Sequence, residues 1–215
     1  MVKKFPMILS AIGVTYILYF SACAADADGT EVQSFADIPE QHWAAPAIEW
    51  AVKEGVVSGY MDGTFKATQA ITRAEFITML VEGAMIPHSE GSVPWYQSYV
   101  YAAIESKLHF EADFDSYSEP ITRFEMIRLA LRAMDRELRT EKSLDRNAWL
   151  LLGVEKGLLR GRNYSGELEP GSLSTRAEGV ALIQRLAQIR AGLKLEPDAA
   201  ALENLQSMNE NILGE

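Results

Sequence analysis

The tetrapeptide Thr-Arg-x-Glu occurs three times in the chain, as Thr72-Arg73-Ala74-Glu75, Thr122-Arg123-Phe124-Glu125 and Thr175-Arg176-Ala177-Glu178. Each copy has capping-box spacing, in which the Thr side chain accepts from the amide three residues on and the Glu reaches back to the Thr amide. The spacing predicts helices that start at Arg73, Arg123 and Arg176. Arg then falls on the first helical residue each time, where free amides and the positive end of the helix dipole favour an anion. The sequence reads as three copies of one anion-binding corner.

The arginines are separated by 50 residues (Arg73 to Arg123) and 53 residues (Arg123 to Arg176). Periods of this size indicate stacked or symmetric units that share a core. Each unit carries two apolar helical stripes. In the first they are Ala47, Ile48, Ala51, Val52 and then Phe76, Ile77, Leu80, Val81; in the second, Val100, Ala103, Ile104 and then Ile127, Ala130, Leu131; in the third, Leu150, Leu151, Val154 and then Val180, Ile183, Leu186. Gly55 and Gly157 are helix stops, and Gly59 and Gly161 follow at the same offset. The middle unit has Lys107-Leu108-His109-Phe110 there, so its turn is expected to be built differently. The expected units are residues 35–86, 87–140 and 141–190, joined by short irregular connections.

Charge limits the ligands. A formal net charge of -10 and a pI near 4.9 exclude nucleic acid, which demands a basic footprint. An anionic ligand must instead be held by a few placed arginines.

The N-terminus carries Lys3 and Lys4 ahead of an uncharged run from Phe5 to Ala22, the pattern of an export leader over residues 1–23. Three fates fit it. Ala22-Cys23-Ala24 has small residues at the positions of a conventional cleavage site. Phe20-Ser21-Ala22-Cys23 resembles a bacterial lipobox, with Phe where Leu is usual, and would leave Cys23 lipidated and membrane-attached. The run of 18 residues from Phe5 to Ala22 also sits at the short end of a membrane span. Cys23 is the sole cysteine, so no intrachain disulfide forms. Residues 24–34 read as a linker. At the other end, residues 191–215 are acidic. Leu202, Leu205, Met208 and Ile212 form a sparse stripe there, expected to give a marginal helix that packs loosely or frays. A partner-binding helix is the alternative.

The segment Phe35-x-Asp37, His42-Trp43-Ala44, Gly55, Gly59-Tyr60-x-Asp62-Gly63-Thr64-Phe65 and Ile71-Thr72-Arg73-Ala74-Glu75-Phe76 resembles a complete S-layer homology (SLH) repeat. The second unit keeps Trp95-Tyr96, Tyr99-Val100 and Ile121-Thr122-Arg123-Phe124-Glu125 without the glycine turn. The third keeps Gly157, Gly161, Leu168, Pro170 and Thr175-Arg176-Ala177-Glu178, with Asp145 where Trp43 would align. The resemblance implies a mainly α fold of three helical repeats in a pseudo-threefold, three-pronged bundle with grooves between adjacent units. It also implies noncovalent attachment of an exported protein to the cell wall or cell surface through secondary cell-wall polysaccharide, commonly pyruvylated. A pyruvate ketal presents a carboxylate, which matches the planar fork of Arg.

The expected polysaccharide-binding residues are Arg73, Arg123, Arg176, Asp37, Trp43, Gly59, Tyr60 and Trp95. The competing reading of the arginines is a salt bridge with a neighbouring carboxylate that holds the units together. Trp43 and Trp95 either pack in the core or lie beneath a sugar; Trp50 and Trp149 sit in apolar stripes and are expected in the core. Asp37 can partner an Arg or a sugar hydroxyl. The site is best assembled around Arg73, whose unit supplies aromatic, glycine turn and acidic residue together. No cofactor or metal is implied: Asp26-x-Asp28-Gly29 and Asp113-x-Asp115 lack the full EF-hand spacing, and His42, His88 and His109 lack zinc-site spacing. No catalytic motif is found, so the expected protein is a binder and not an enzyme. The alternative function is a structural or regulatory envelope protein whose degenerate repeats no longer bind sugar.

Overall fold

The computed structural model describes residues 35–213; the leader, Cys23 and the linker lie outside them, and so do the three readings of the leader. The described residues form helices α1 (Ala45–Lys53), α2 (Arg73–Gly83), α3 (Gln97–Glu105), α4 (Arg123–Met134), α5 (Arg146–Glu155), α6 (Arg176–Arg190) and α7 (Ala199–Leu213). Isolated bridges occur but no sheet among the described residues, so the chain is mainly α. Among the described residues no helix is long and apolar enough to cross a membrane.

All three capping boxes form. Thr72, Thr122 and Thr175 accept from Glu75, Glu125 and Glu178 at 3.2, 3.2 and 3.3 Å, and each Glu side chain returns to its Thr amide at 2.8 Å. The amides ahead of them are not free, contrary to the expectation of an anion corner. Arg73 and Ala74 donate to the carbonyls of Glu119 and Tyr117, Arg123 and Phe124 to Ser172 and Pro170, and Arg176 and Ala177 to Gln69 and Ala67. Each of these three helix starts is thus plugged by the connecting segment of another unit, which satisfies donors that would otherwise be orphaned.

The residues just before the caps close a ring. The amide of Ile71 donates to Ser174, that of Ser174 to Ile121, and that of Ile121 to Ile71, at 3.0, 3.0 and 2.9 Å. The three positions are buried. Around this ring α2 touches both α4 and α6, and α4 touches α6. Their apolar faces supply fully buried Ile77, Leu80, Ile127, Leu131, Ile183 and Leu186. The first helix of each unit packs on the second helix of the preceding one: α1 on α6, α3 on α2 and α5 on α4.

The stops after α1, α3 and α5 share one conformation, with Gly55, Lys107 and Gly157 at φ of 72°, 57° and 71°. The middle turn therefore begins like the others, and Lys107 adopts the left-handed region at a cost that glycine avoids. It departs afterwards, where Glu111–Asp113 form a 3-10 turn in place of the second glycine. Gly59 and Gly161 are required by close approach: a Cβ on Gly59 would run into the Phe35 ring, and one on Gly161 into the backbone of Gly166.

Helix α7 is docked rather than loose. Ala201 and Leu205 are buried, and α7 packs on α5. Asp198 caps it through Ala201 and also accepts from Gly161 at 3.1 Å. Burial of two apolar side chains and the bond to Gly161 supply the tertiary support that a short isolated helix lacks.

Lys107→Gly is expected to stabilise the fold by about 1 kcal/mol, read as an increase in the urea midpoint. His109 is fully buried against Phe114 and Tyr117, with Nε2 unpartnered and Nδ1 3.2 Å from the Phe110 carbonyl. Burial pushes its pKa below the ordinary value, against the opposing pull of Phe110 and Asp113. The unfolded chain therefore takes up this proton first as pH falls, so stability is retained above about pH 6.5 and declines below it. Thermal unfolding between pH 7.5 and 5 is expected to show this decline, and His109→Phe to flatten it.

Candidate functional site

The three arginines share a place in the sequence but not a chemistry. Arg73 is fully engaged: Nη2 and Nε donate to Glu125 Oε1 at 2.8 and 3.3 Å, Nη1 donates to the Ser116 carbonyl, and the guanidinium lies over the Phe114 ring. Arg123 is engaged as completely. It pairs with Glu178 at 3.0 Å and donates to the carbonyls of Leu168 and Arg160. Burial works to lower its pKa, against the opposing pull of Glu178. Each partner carboxylate is the capping-box Glu of the next unit, so two of the corners clasp neighbouring units.

Arg176 breaks the pattern. Among the described residues no ion pair joins it to Glu75, the equivalent carboxylate. It donates one bond, from Nη2 to the Ser58 carbonyl at 2.7 Å, and its guanidinium lies 5.1 and 4.8 Å from the Tyr60 and Phe65 ring centres. The side chain is 8% exposed, and its buried Nε has no partner.

Arg176 opens into a groove of about 630 Å³ whose walls come from all three units. The first unit gives Gly59, Tyr60 and Glu75, the second gives Trp95 and Tyr99, and the third gives Arg176. Glu82 lies in the same wall and accepts from the Tyr99 hydroxyl at 3.0 Å. A second groove, of about 450 Å³, repeats the plan one unit round. Its loop is Leu159-Arg160-Gly161-Arg162 of the third unit, its tryptophan is Trp43 of the first and its arginine is Arg123 of the second. Trp43 and Trp95 are 62% and 56% exposed, which removes the core reading for both. Trp149 is buried and Trp50 half-buried against the core, as their stripes predict.

Expected site residues are thus regrouped. Gly59 and Tyr60 stand with Arg176 and Trp95, Trp43 with Arg123, and Arg73 with neither tryptophan. The position aligned with Trp43 in the third unit, Asp145, caps α5 by accepting from Ala148. The expectation that Arg73 joins its own unit's aromatic and glycine turn does not hold, because each groove takes its arginine from the preceding unit. Asp37 is occupied as well, accepting from the Phe65 and Lys66 amides at 2.7 Å each. Burial works to raise its pKa, but these amides together outweigh it and hold the carboxyl below the ordinary value. Glu75, expected only as a capping residue, also lines the first groove, and Arg160 and Arg185, which belong to no sequence motif of the site, line the second. Asp113 faces Arg128 and Arg132 at 3.5 and 3.4 Å, a cationic setting that does not suit a metal.

Residues 34–77 match the model of the S-layer homology domain. The same stretch supplies Trp43 and the Gly59-Tyr60 loop to the two grooves, and this part of the chain carries an S-layer homology domain. It is 51% identical over 47 residues to cell surface glycoprotein 1 of Acetivibrio thermocellus, an alignment covering 22% of this chain and 2% of that one. A cellulosome-anchoring protein of the same organism is 46% identical over 46 residues, 21% of this chain and 10% of the relative. An endoglucanase of Bacillus sp. strain KSM-635 is 28% identical over 134 residues, 57% of this chain and 14% of the enzyme. The chain thus aligns with no more than about a seventh of any of these three relatives.

The unequal pairing separates stability from binding. Arg123→Met is expected to cost about 3 kcal/mol in urea unfolding, since it leaves carbonyl oxygens and part of Glu178 unpaired in a buried setting. Arg176→Met is expected to cost about 1 kcal/mol, the loss of one hydrogen bond.

Proposed function

We propose that the chain attaches to the bacterial cell envelope by noncovalent binding of acidic, pyruvylated wall polysaccharide, with Arg176 and Trp95 as its principal contacts. The observation that carries this reading is the guanidinium of Arg176, which has no ion pair among the described residues and an unpartnered Nε, buried at the floor of a groove whose rim is an exposed tryptophan. A ketal carboxylate fits the guanidinium donors that the single bond to Ser58 leaves unmet, Nε among them, in a charge-assisted and planar match. The face of Trp95 offers an apolar platform for a pyranose ring, and Tyr60 and the bare backbone of Gly59 complete the wall.

In this reading all three units are SLH repeats about a pseudo-threefold axis. Support comes from the closed ring through Ile71, Ile121 and Ser174, and from the two grooves built on one plan. Arg73 serves as a clasp, and Asp37 braces the turn that carries Gly59 and Tyr60. The printed names of the relatives, a cell surface glycoprotein and a cellulosome-anchoring protein, agree with a surface location and an anchoring role. Neither role needs a catalytic group. Export and, if Cys23 is lipidated, a second attachment to the membrane belong to the same reading, since one acyl chain alone holds weakly.

Cosedimentation with purified wall tests it. Retention is expected to fall about tenfold for Arg176→Gln and for Trp95→Ala, the loss of one charge-assisted contact or one stacked face. Depyruvylated wall is expected to retain the unaltered protein as weakly as pyruvylated wall retains Arg176→Gln. Equal retention on both walls would remove the carboxylate from the mechanism. Retention that survives both substitutions and removal of the polysaccharide would favour the structural or regulatory alternative.

A further inference from the structure

The two grooves differ in charge. The Arg176 groove sets one arginine against Glu75 and Glu82. The other is lined by Arg123, Arg160, Arg162 and Arg185 with Glu178 as its sole lining carboxylate, in a chain whose net charge is -10. Part of that charge is balanced locally. Arg162 grips both oxygens of Glu178 at 3.0 and 3.1 Å and pairs with Glu169 at 2.7 Å, while Arg123 shares Glu178. Two carboxylates therefore answer two arginines. Among the described residues no hydrogen bond or ion pair engages the guanidinium of Arg160 or of Arg185, and the Nε of Arg185 is buried without a partner.

A buried guanidinium beside like charges is costly to keep. Arg185 shows that cost: burial first, then repulsion from Arg160 and Arg123, push its pKa down to about 10. No polar partner among the described residues uses the side chain as a brace. From these unanswered donors facing one groove, we propose that Arg160 and Arg185 form a subsite for a doubly charged oxyanion, a phosphate group or an equivalent dianion carried on a sugar. Two surplus positive charges match a dianion, and the five donors of each guanidinium suit a tetrahedral oxyanion. Trp43 at the mouth of the groove would lie under the ring that bears the group. The Arg176 groove, with two glutamates in its wall, would refuse the same dianion.

The subsite does not depend on the wall polysaccharide reading and is tested without wall. Inorganic phosphate is titrated into the protein at constant ionic strength, following the melting temperature and the Nε–Hε resonances of the arginines by NMR. The melting temperature is expected to rise and saturate, with the Arg185 resonance shifting along the same curve. Arg185→Gln is expected to melt higher than the unaltered protein without phosphate, because it removes an unanswered buried charge, and to bind phosphate at least about tenfold more weakly. Arg176→Gln is expected to bind phosphate unchanged. General salting-out by phosphate would appear equally in Arg185→Gln and would overturn the subsite. The absence of a saturable response in the unaltered protein would overturn it too, as would an equal shift of the Arg185 resonance with pyruvate, which carries one charge.

Discussion

The backbone bonds that join Ile71, Ile121 and Ser174 decide where everything else can go. They sit immediately before the capping threonines, so closing the ring fixes the starts of α2, α4 and α6 around one point. The connecting segments that pass over this point then fill the first amides of those helices, and the caps fill the third. A helix start carries several donors that must find partners, and here they find them in other units. The arginines inherit the consequence. With the amides occupied, whatever anion-binding capacity remains belongs to side chains alone, and two of the three have spent theirs on the neighbouring unit's glutamate.

Exchange between units also explains why two grooves can be built from degenerate parts. Each wall set draws its loop and helix from one unit, its tryptophan from the next and its arginine from the one before. The middle unit lacks the second glycine, yet it donates Trp95 to one groove and Arg123 to the other. The third unit has Asp145 in place of a groove tryptophan, yet it donates the loop of one groove and the arginine of the other. Losses in two units therefore fall on a single corner, the one at Arg73. The docked α7 adds to the second groove from outside the repeats, since Asp198 holds the amide of Gly161 in its loop.

Legibility in the sequence follows the range of the interaction. The capping boxes depend on residues three apart and were read without error, as were the apolar stripes and the glycine stops. The missing glycines of the middle unit announce a different turn, which appears at Glu111–Asp113, but a lysine gives no sign that Lys107 shares the left-handed conformation of Gly55 and Gly157. The docking of α7 was missed because Ala201 and Leu205 are buried by α5 and the third unit's loop. Groove membership depends on which units are neighbours, and a repeat alignment places residues of one unit together when the fold does not. The freedom of Arg176 and Arg185 was hidden for the same reason: whether a guanidinium is answered is settled by residues distant along the chain.

The closing of the ring has a temporal side. Its last bond joins Ser174 to Ile71, and α1 finds its packing surface only on α6. No leading portion of the chain contains both halves of that contact, so a chain emerging from its N-terminus cannot complete its core until nearly all of the repeat region is out. Contacts between the two ends of the repeat region also carry the closure cost of the long chain between them. The cyclic arrangement thus acts as a delay on folding that needs no partner to impose it.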